Sequence, residues 1–177
     1  MTAGILNRGK NIEMLIKCLP RIGMDNSSLF IIGDGSSKED SSYINGLRGL
    51  TRRLSLDHRV IFTGWLEKEE LWRIYPAADL FILASKVEGM PNALLEALGL
   101  GVPCIGSRIP GIIDILQHEE LMFDPLNEEA IANKVRRAFS DIQYSNYIVS
   151  LCRERKEAFI FDWKERVFLL ATQGILS

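Results

Sequence analysis

Apolar residues along this chain gather into short, unbroken runs at 29–32, 60–62, 80–83, 104–105 and 121–123, spaced about twenty to thirty residues apart. A run that does not alternate with polar residues belongs to a strand covered on both faces, as in a parallel sheet sandwiched between helices. Residues 2–6 read as the tail of a further strand at the start. Between the runs the apolar spacing becomes helical. Residues 11–19 put Ile12, Leu15, Ile16 and Leu19 on one face, and residues 69–77 do the same with Leu71, Trp72, Ile74 and Tyr75. Residues 93–100 form a helix that Gly101 and Pro103 stop, the glycine by taking a left-handed conformation and the proline by forbidding continuation. Asn127 caps another helix running through Ala130, Ile131 and Val135 to Phe139.

Strand and helix thus alternate about six times, which predicts an α/β fold built on a single doubly wound parallel sheet of about six strands with helices on both faces. After Ser140 the strand signal ceases and two helical stretches follow, the last around residues 161–170. With no internal repeat and no linker, residues 1–177 read as one domain. The chain starts almost inside its first strand, as a domain cut from a longer protein would.

Composition narrows the function classes. Apolar residues make up 47% and charged residues 25% of the 177, the balance of an ordinary globular protein. A formal charge of −2 argues against a dedicated nucleic-acid binder. The basic clusters Arg48, Arg52, Arg53 and Arg153, Arg155, Lys156 are read as solvated helix faces. Cys18, Cys104 and Cys152 are odd in number and far apart, which suits reduced core residues in a cytosolic protein. Two isolated histidines, His58 and His118, build neither a metal cluster nor a nucleophilic triad, so neither metal nor cofactor is expected.

In an open α/β sheet the ligand lies beyond the carboxyl ends of the strands, so chemistry is sought in the loops that follow them. The first, residues 4–11, leads from Gly4 through Gly9 and Lys10 into a helix, where a lysine beside free N–H groups suits phosphate. A solvated lysine is the plainer alternative. Gly33-Asp34-Gly35 lacks the third glycine of a dinucleotide fingerprint and speaks against a nicotinamide cofactor. At Thr63-Gly64-Trp65 the glycine admits a flat ring and Trp65 could meet a base, or it could simply pack on Leu66 and Leu71.

The fourth loop, residues 84–97, carries the argument. Glu88 stands in the loop after a strand, whereas Glu96 stands more than a turn into a helix that begins at Pro91 and Asn92. A helix start presents unsatisfied N–H donors and the positive end of its dipole, which suit a diphosphate. Glu96 can accept both hydroxyls of a ribose, and Glu88 can reach a sugar on the far side. Glu96 lies in the apolar run Ala93-Leu94-Leu95-Glu96-Ala97-Leu98, where an unpartnered carboxylate would be costly.

Ser85, Glu88-Gly89, Leu95-Glu96-Ala97, Gly101-Val102-Pro103, Ser107 and Gly111 resemble, in order and spacing, the C-terminal half of the family-four retaining glycosyltransferases (glycosyl transferases group 1). These have the two-domain GT-B fold, each half Rossmann-like. The resemblance runs from Gly4 to about Phe139, with Asp162-Trp163 also matching. It implies that Glu96 holds the ribose of a UDP- or GDP-sugar and that Glu88 is the catalytic residue, contacting the donor hexose near the reacting carbon. It further implies that Lys10 and backbone around Gly4 meet the diphosphate, and that the amides of Gly89, Met90, Pro91-Asn92, Ala93 and Leu94 frame sugar and phosphates. Trp65 would meet the base.

Where the family places an arginine to partner the lysine, this chain has Ile5, unless Arg8 reaches in. A lost charge-assisted contact of this kind is worth about 1.5–3 kcal/mol, or roughly ten- to a hundredfold in affinity. The resemblance covers only the C-terminal half, so residues 1–177 without the family's N-terminal, acceptor-holding domain are expected to bind donor but not to transfer sugar alone. The family's usual settings imply an acceptor in polysaccharide, lipopolysaccharide or glycolipid synthesis, one at a membrane included. The setting is cytoplasmic or peripheral at the inner membrane face, and self-association through the uncovered apolar face is expected. The alternative is a non-catalytic nucleotide-sensing or interaction module, which Ile5 supports. A sugar-nucleotide epimerase ranks behind both.

Overall fold

The structure is a computed structural model that describes residues 1–159. Six parallel strands alternate with seven α-helices: β1 (Thr2–Ala3), α1 (Ile12–Cys18), β2 (Leu29–Ile32), α2 (Lys38–Arg53), β3 (Val60–Gly64), α3 (Lys68–Ile74), β4 (Phe81–Leu83), α4 (Asn92–Gly99), β5 (Cys104–Ser107), α5 (Ile112–Leu116), β6 (Met122–Phe123), α6 (Glu128–Ser140) and α7 (Ile142–Phe159). The strands form two parallel ladders, β1-β2-β3 and β4-β5-β6, rather than one uninterrupted six-stranded ladder. The ladders meet at β1 and β4, where the Ile82 N–H donates to the Met1 carbonyl at 2.9 Å and the Met1 amino group to the Leu80 carbonyl at 2.6 Å. The lateral order is therefore β3-β2-β1-β4-β5-β6, with the reversal point between β1 and β4. That point is where ligands of doubly wound sheets bind.

The continuous apolar runs are strands for the reason the pattern suggests. Ile31, Phe81 and Ile105 are fully buried, and their neighbours in the same strands are nearly so apart from Phe30. The helices pack against one another as they cover the strands, α1 on α2 and α6, and α7 on α4, α5 and α6. Helix starts are locally encoded. The Ser37 hydroxyl accepts from the Asp40 N–H at 3.1 Å, the Asn127 side-chain Oδ1 from the Ala130 N–H at 2.9 Å, and Glu67 with Glu70 makes a reciprocal capping box.

Two details differ from the sequence expectations, and the cysteines meet theirs. The helix of residues 69–77 tightens into a 3-10 turn at Tyr75–Ala77, where Pro76 interrupts it. Arg155 is not on a solvated face: it is buried, and its Nε donates to the Ile115 carbonyl at 2.7 Å, tying α7 to α5. The three cysteines are free and buried, and desolvation pushes the thiol of Cys18 up to about 12 and that of Cys152 up to about 11. The helix expected around residues 161–170 lies outside the described residues. Among the described residues no helix is long and apolar enough to cross a membrane.

Candidate functional site

The loops after β1, β3 and β4, with the start of α4, enclose a cleft of about 640 Å³ at the carboxyl edge of the sheet. Gly4, Ile5, Lys10, Trp65, Glu88 and Glu96 all line it, together with residues 90–93. Most of the residues singled out in the sequence thus share one crevice, built from segments spread between Ala3 and Glu96.

Lys10 ends a one-turn 3-10 helix, Arg8–Lys10, whose start is capped by the Asn7 side chain accepting from the Gly9 N–H at 2.9 Å. The next residue, Asn11, is fully buried in a left-handed conformation at φ 55°. Its amide group donates to the carbonyl of Ala84 at 3.1 Å and to that of Pro125 at 2.9 Å, fastening this turn to the segments that follow β4 and β6. A backbone bond from the Lys86 N–H to the Gly9 carbonyl at 2.7 Å repeats the tie. Lys10 Nζ then lies 2.5 Å from Glu88 Oε1.

Two glycines set how closely these loops approach. At Gly33 (φ +124°) a Cβ would stand 1.9 Å from the Gly4 carbonyl oxygen. At Gly111 (φ +79°) it would stand 2.5 Å from that of Gly89 and 2.8 Å from that of Glu88. Both positions exclude any side chain on sterics and on backbone conformation together.

Glu96 is half-buried in the second turn of α4 and faces the cleft. Its partner is the buried Tyr75, whose hydroxyl lies 3.4 Å from Glu96 Oε2 and 3.2 Å from the Ala93 carbonyl. Burial and then the Glu96 charge raise the Tyr75 phenol far above its ordinary value, so it remains a donor at any working pH. Sequence reading took Tyr75 for a core residue and missed this bond, which joins residues 21 positions apart.

The helix start offers fewer free donors than its sequence suggests. The Asn92 N–H bonds the Met90 carbonyl, and the N–H groups of Leu94 and Leu95 both bond that of Pro91. Leu94 is fully buried in the core, and Gly89 lies beside the cleft rather than in its lining. Among the described residues the amides of Gly89, Met90 and Ala93 have no partner. Trp65 is 61% exposed and lines the cleft with Leu66 and Leu71, presenting a flat apolar face. Ile5 stands in the cleft as a bare apolar group. Arg8 does not make up for it, because its guanidinium lies over the Tyr43 ring, 5.9 Å from the centroid, away from the lining. No cluster of three or more His, Cys, Asp or Glu suited to a metal occurs among the described residues.

A parallel sheet in this order, with its ligand-facing loops gathered at the reversal point, defines a Rossmann-like α/β domain. Solved structures agree. The chain matches Anabaena Alr3699/HepE, solved in complex with UDP and glucose, at a TM-score of 0.80 and 21% identity over 89% of this chain and 42% of that one. It matches sucrose-phosphate synthase from Thermosynechococcus elongatus at a TM-score of 0.80 and 26% identity, covering 99% of this chain and 45% of that one. In sequence, an uncharacterized glycosyltransferase of Methanocaldococcus jannaschii, MJ1607, is 32% identical over 150 residues, 83% of this chain and 37% of its own length.

The chain belongs to the glycosyl transferases group 1 family, whose model matches residues 1–141. It spans 29% to 37% of the length of three curated relatives it matches.

Proposed function

We propose that this domain binds the nucleotide-sugar donor of a retaining hexosyltransferase, with Glu96 on the ribose, Lys10 on the diphosphate and Glu88 beside the hexose. The observation that carries the reading is the convergence of those three side chains on one cleft at the reversal point of the sheet. UDP is favoured as the nucleotide, since UDP and glucose accompany the Anabaena neighbour of the same fold. The free amides of Gly89, Met90 and Ala93 are the donors left for sugar and phosphate oxygens, and the Trp65 face is the platform for the base.

Transfer would move the hexose to an acceptor hydroxyl with retention at the anomeric carbon. Negative charge growing on the departing phosphate is met by Lys10 and the positive end of α4, held in place before reaction. Positive charge developing on the sugar ring is met by the Glu88 carboxylate. No metal or cofactor enters the proposed chemistry. Further polypeptide would hold the acceptor, a membrane-associated one included, because a transition state assembled between two halves needs both. Polysaccharide, lipopolysaccharide or glycolipid synthesis in the cytoplasm is the proposed setting, and self-association is part of the same proposal.

Calorimetric titration with UDP, GDP and their glucose and mannose conjugates tests the reading, saturable binding of one nucleotide series being the expected result. Ile5 favours a second reading, a non-catalytic nucleotide-sensing or interaction module, and a pure interaction module binds none of these nucleotides. With an acceptor-holding half supplied, an α-linked product from an α-linked donor, seen by NMR, supports retention, and inversion overturns it.

A further inference from the structure

The two groups most needed by the proposed donor are bonded to each other. Glu88 Oε1 accepts from Lys10 Nζ at 2.5 Å and from Ser85 Oγ at 2.7 Å. The lysine and glutamate side chains are 18% and 10% exposed, and Ser85 is fully buried two residues beyond the end of β4. Lys10 folds back across Gly4, where a Cβ would stand 3.6 Å from its Nζ. An ammonium this close to a carboxylate is largely neutralised as a phosphate ligand. The carboxyl oxygen it occupies is likewise unavailable to a sugar hydroxyl. The backbone bond from Lys86 to Gly9 and the Asn11 bonds to Ala84 and Pro125 hold the two loops together, so the freedom to rearrange lies in the side chains.

Resting on the donor reading, we infer that the site works by exchange: the diphosphate draws Lys10 from Glu88, and a hexose hydroxyl takes the vacated Oε1. Ser85 is then a positioning residue that keeps Glu88 at the end of β4 when the lysine leaves. The exchange separates the loaded donor from the spent nucleotide. A nucleotide-sugar replaces both halves of the broken pair, whereas a bare nucleoside diphosphate leaves a largely buried carboxylate without its counter-charge. Re-forming the Lys10–Glu88 pair therefore favours release of the nucleotide once the sugar has gone.

Calorimetry of the full chain with inorganic pyrophosphate, UDP and UDP-glucose, and with GDP and GDP-mannose alongside, tests the exchange. Glu88→Gln is expected to bind pyrophosphate and UDP about three- to tenfold more tightly than the parent, the range set by a partly exposed pair. Its preference for UDP-glucose over UDP should collapse. In a Lys10→Met background the gain should vanish. A gain that persists there comes from simple charge repulsion and overturns the exchange, as does no gain at all. Ser85→Ala should leave UDP within about twofold and weaken UDP-glucose about three- to tenfold. Equal weakening of both makes Ser85 a structural support only. If the parent binds none of the probes, the donor reading itself falls and the exchange with it. If the parent binds them but Glu88→Gln gains nothing, the exchange alone falls.

Discussion

Two clefts of comparable size lie at opposite ends of the sheet, one of about 640 Å³ at the carboxyl edge and one of about 500 Å³ at the amino edge. The amino-edge cleft is walled by Leu15, Leu19, Ile22, Phe30, Ile131 and Phe139, contributed by α1 and the turn after it, β2 and α6. Phe30 remains 41% exposed there, although it sits in a strand flanked on both sides. The carboxyl-edge cleft instead gathers Lys10, Glu88, Glu96, unpartnered amides and loops whose spacing depends on glycine. Volume does not separate the two. What separates them is that strand ends pointing one way deliver loops and a helix start to the carboxyl edge, while the amino edge receives mostly apolar helix flanks. One end of the domain is organised for chemistry and the other for packing.

The comparison can be broken at either end. Leu15→Ala at the amino edge should cost about 2–5 kcal/mol of stability while leaving nucleotide affinity per folded molecule unchanged, which urea unfolding followed by titration measures. A change in affinity beyond twofold would mean the two ends are coupled. Gly33→Ala should cost about 3 kcal/mol or more, because its Cβ enters the Gly4 carbonyl. Unlike the leucine change, it should also abolish binding, since it displaces the Lys10 loop.

Glu96→Ala should reverse the pattern, with stability almost untouched and nucleotide affinity reduced by about 1.5–3 kcal/mol. The Tyr75→Phe variant, which leaves the carboxylate in place but removes its donor, should lose about 1 kcal/mol of binding. An unchanged Glu96→Ala titration would remove the ribose assignment. The smallest effect is expected at Arg8. Removing its contact with Tyr43 should cost below about 1 kcal/mol of stability and nothing in affinity. Weakened phosphate binding in Arg8→Ala would mean that Arg8 turns into the cleft when ligand arrives.

The strands were legible because apolar continuity is a local signal, and the cap at Asn127 is local too. Of α2 only the basic face at Arg48, Arg52 and Arg53 was read, because only Tyr43, Ile44, Leu47 and Thr51 among its sixteen residues are buried and the apolar stripe is thin. α5 escaped because five residues are too few to show a period. In the site, the spacing of Glu88 and Glu96 could be read directly, one on a loop and one a turn into a helix. Ser85, Asn11 and Tyr75 could not be given roles, because a buried serine, asparagine or tyrosine declares its function only through its partner. For Asn11 the partners lie 73 and 114 positions away.

The sequence by itself determined the succession of strands and helices, the loops that carry the acids, and the family. Only the tertiary structure decided that Lys10 and Glu88, 78 positions apart, neutralise each other, that Arg8 turns away, and that half the amides at the start of α4 are already bonded. Local patterning fixes the conformation of each segment. Which charge meets which depends on the order in which the sheet sets its strands side by side, and that order is a property of the whole chain.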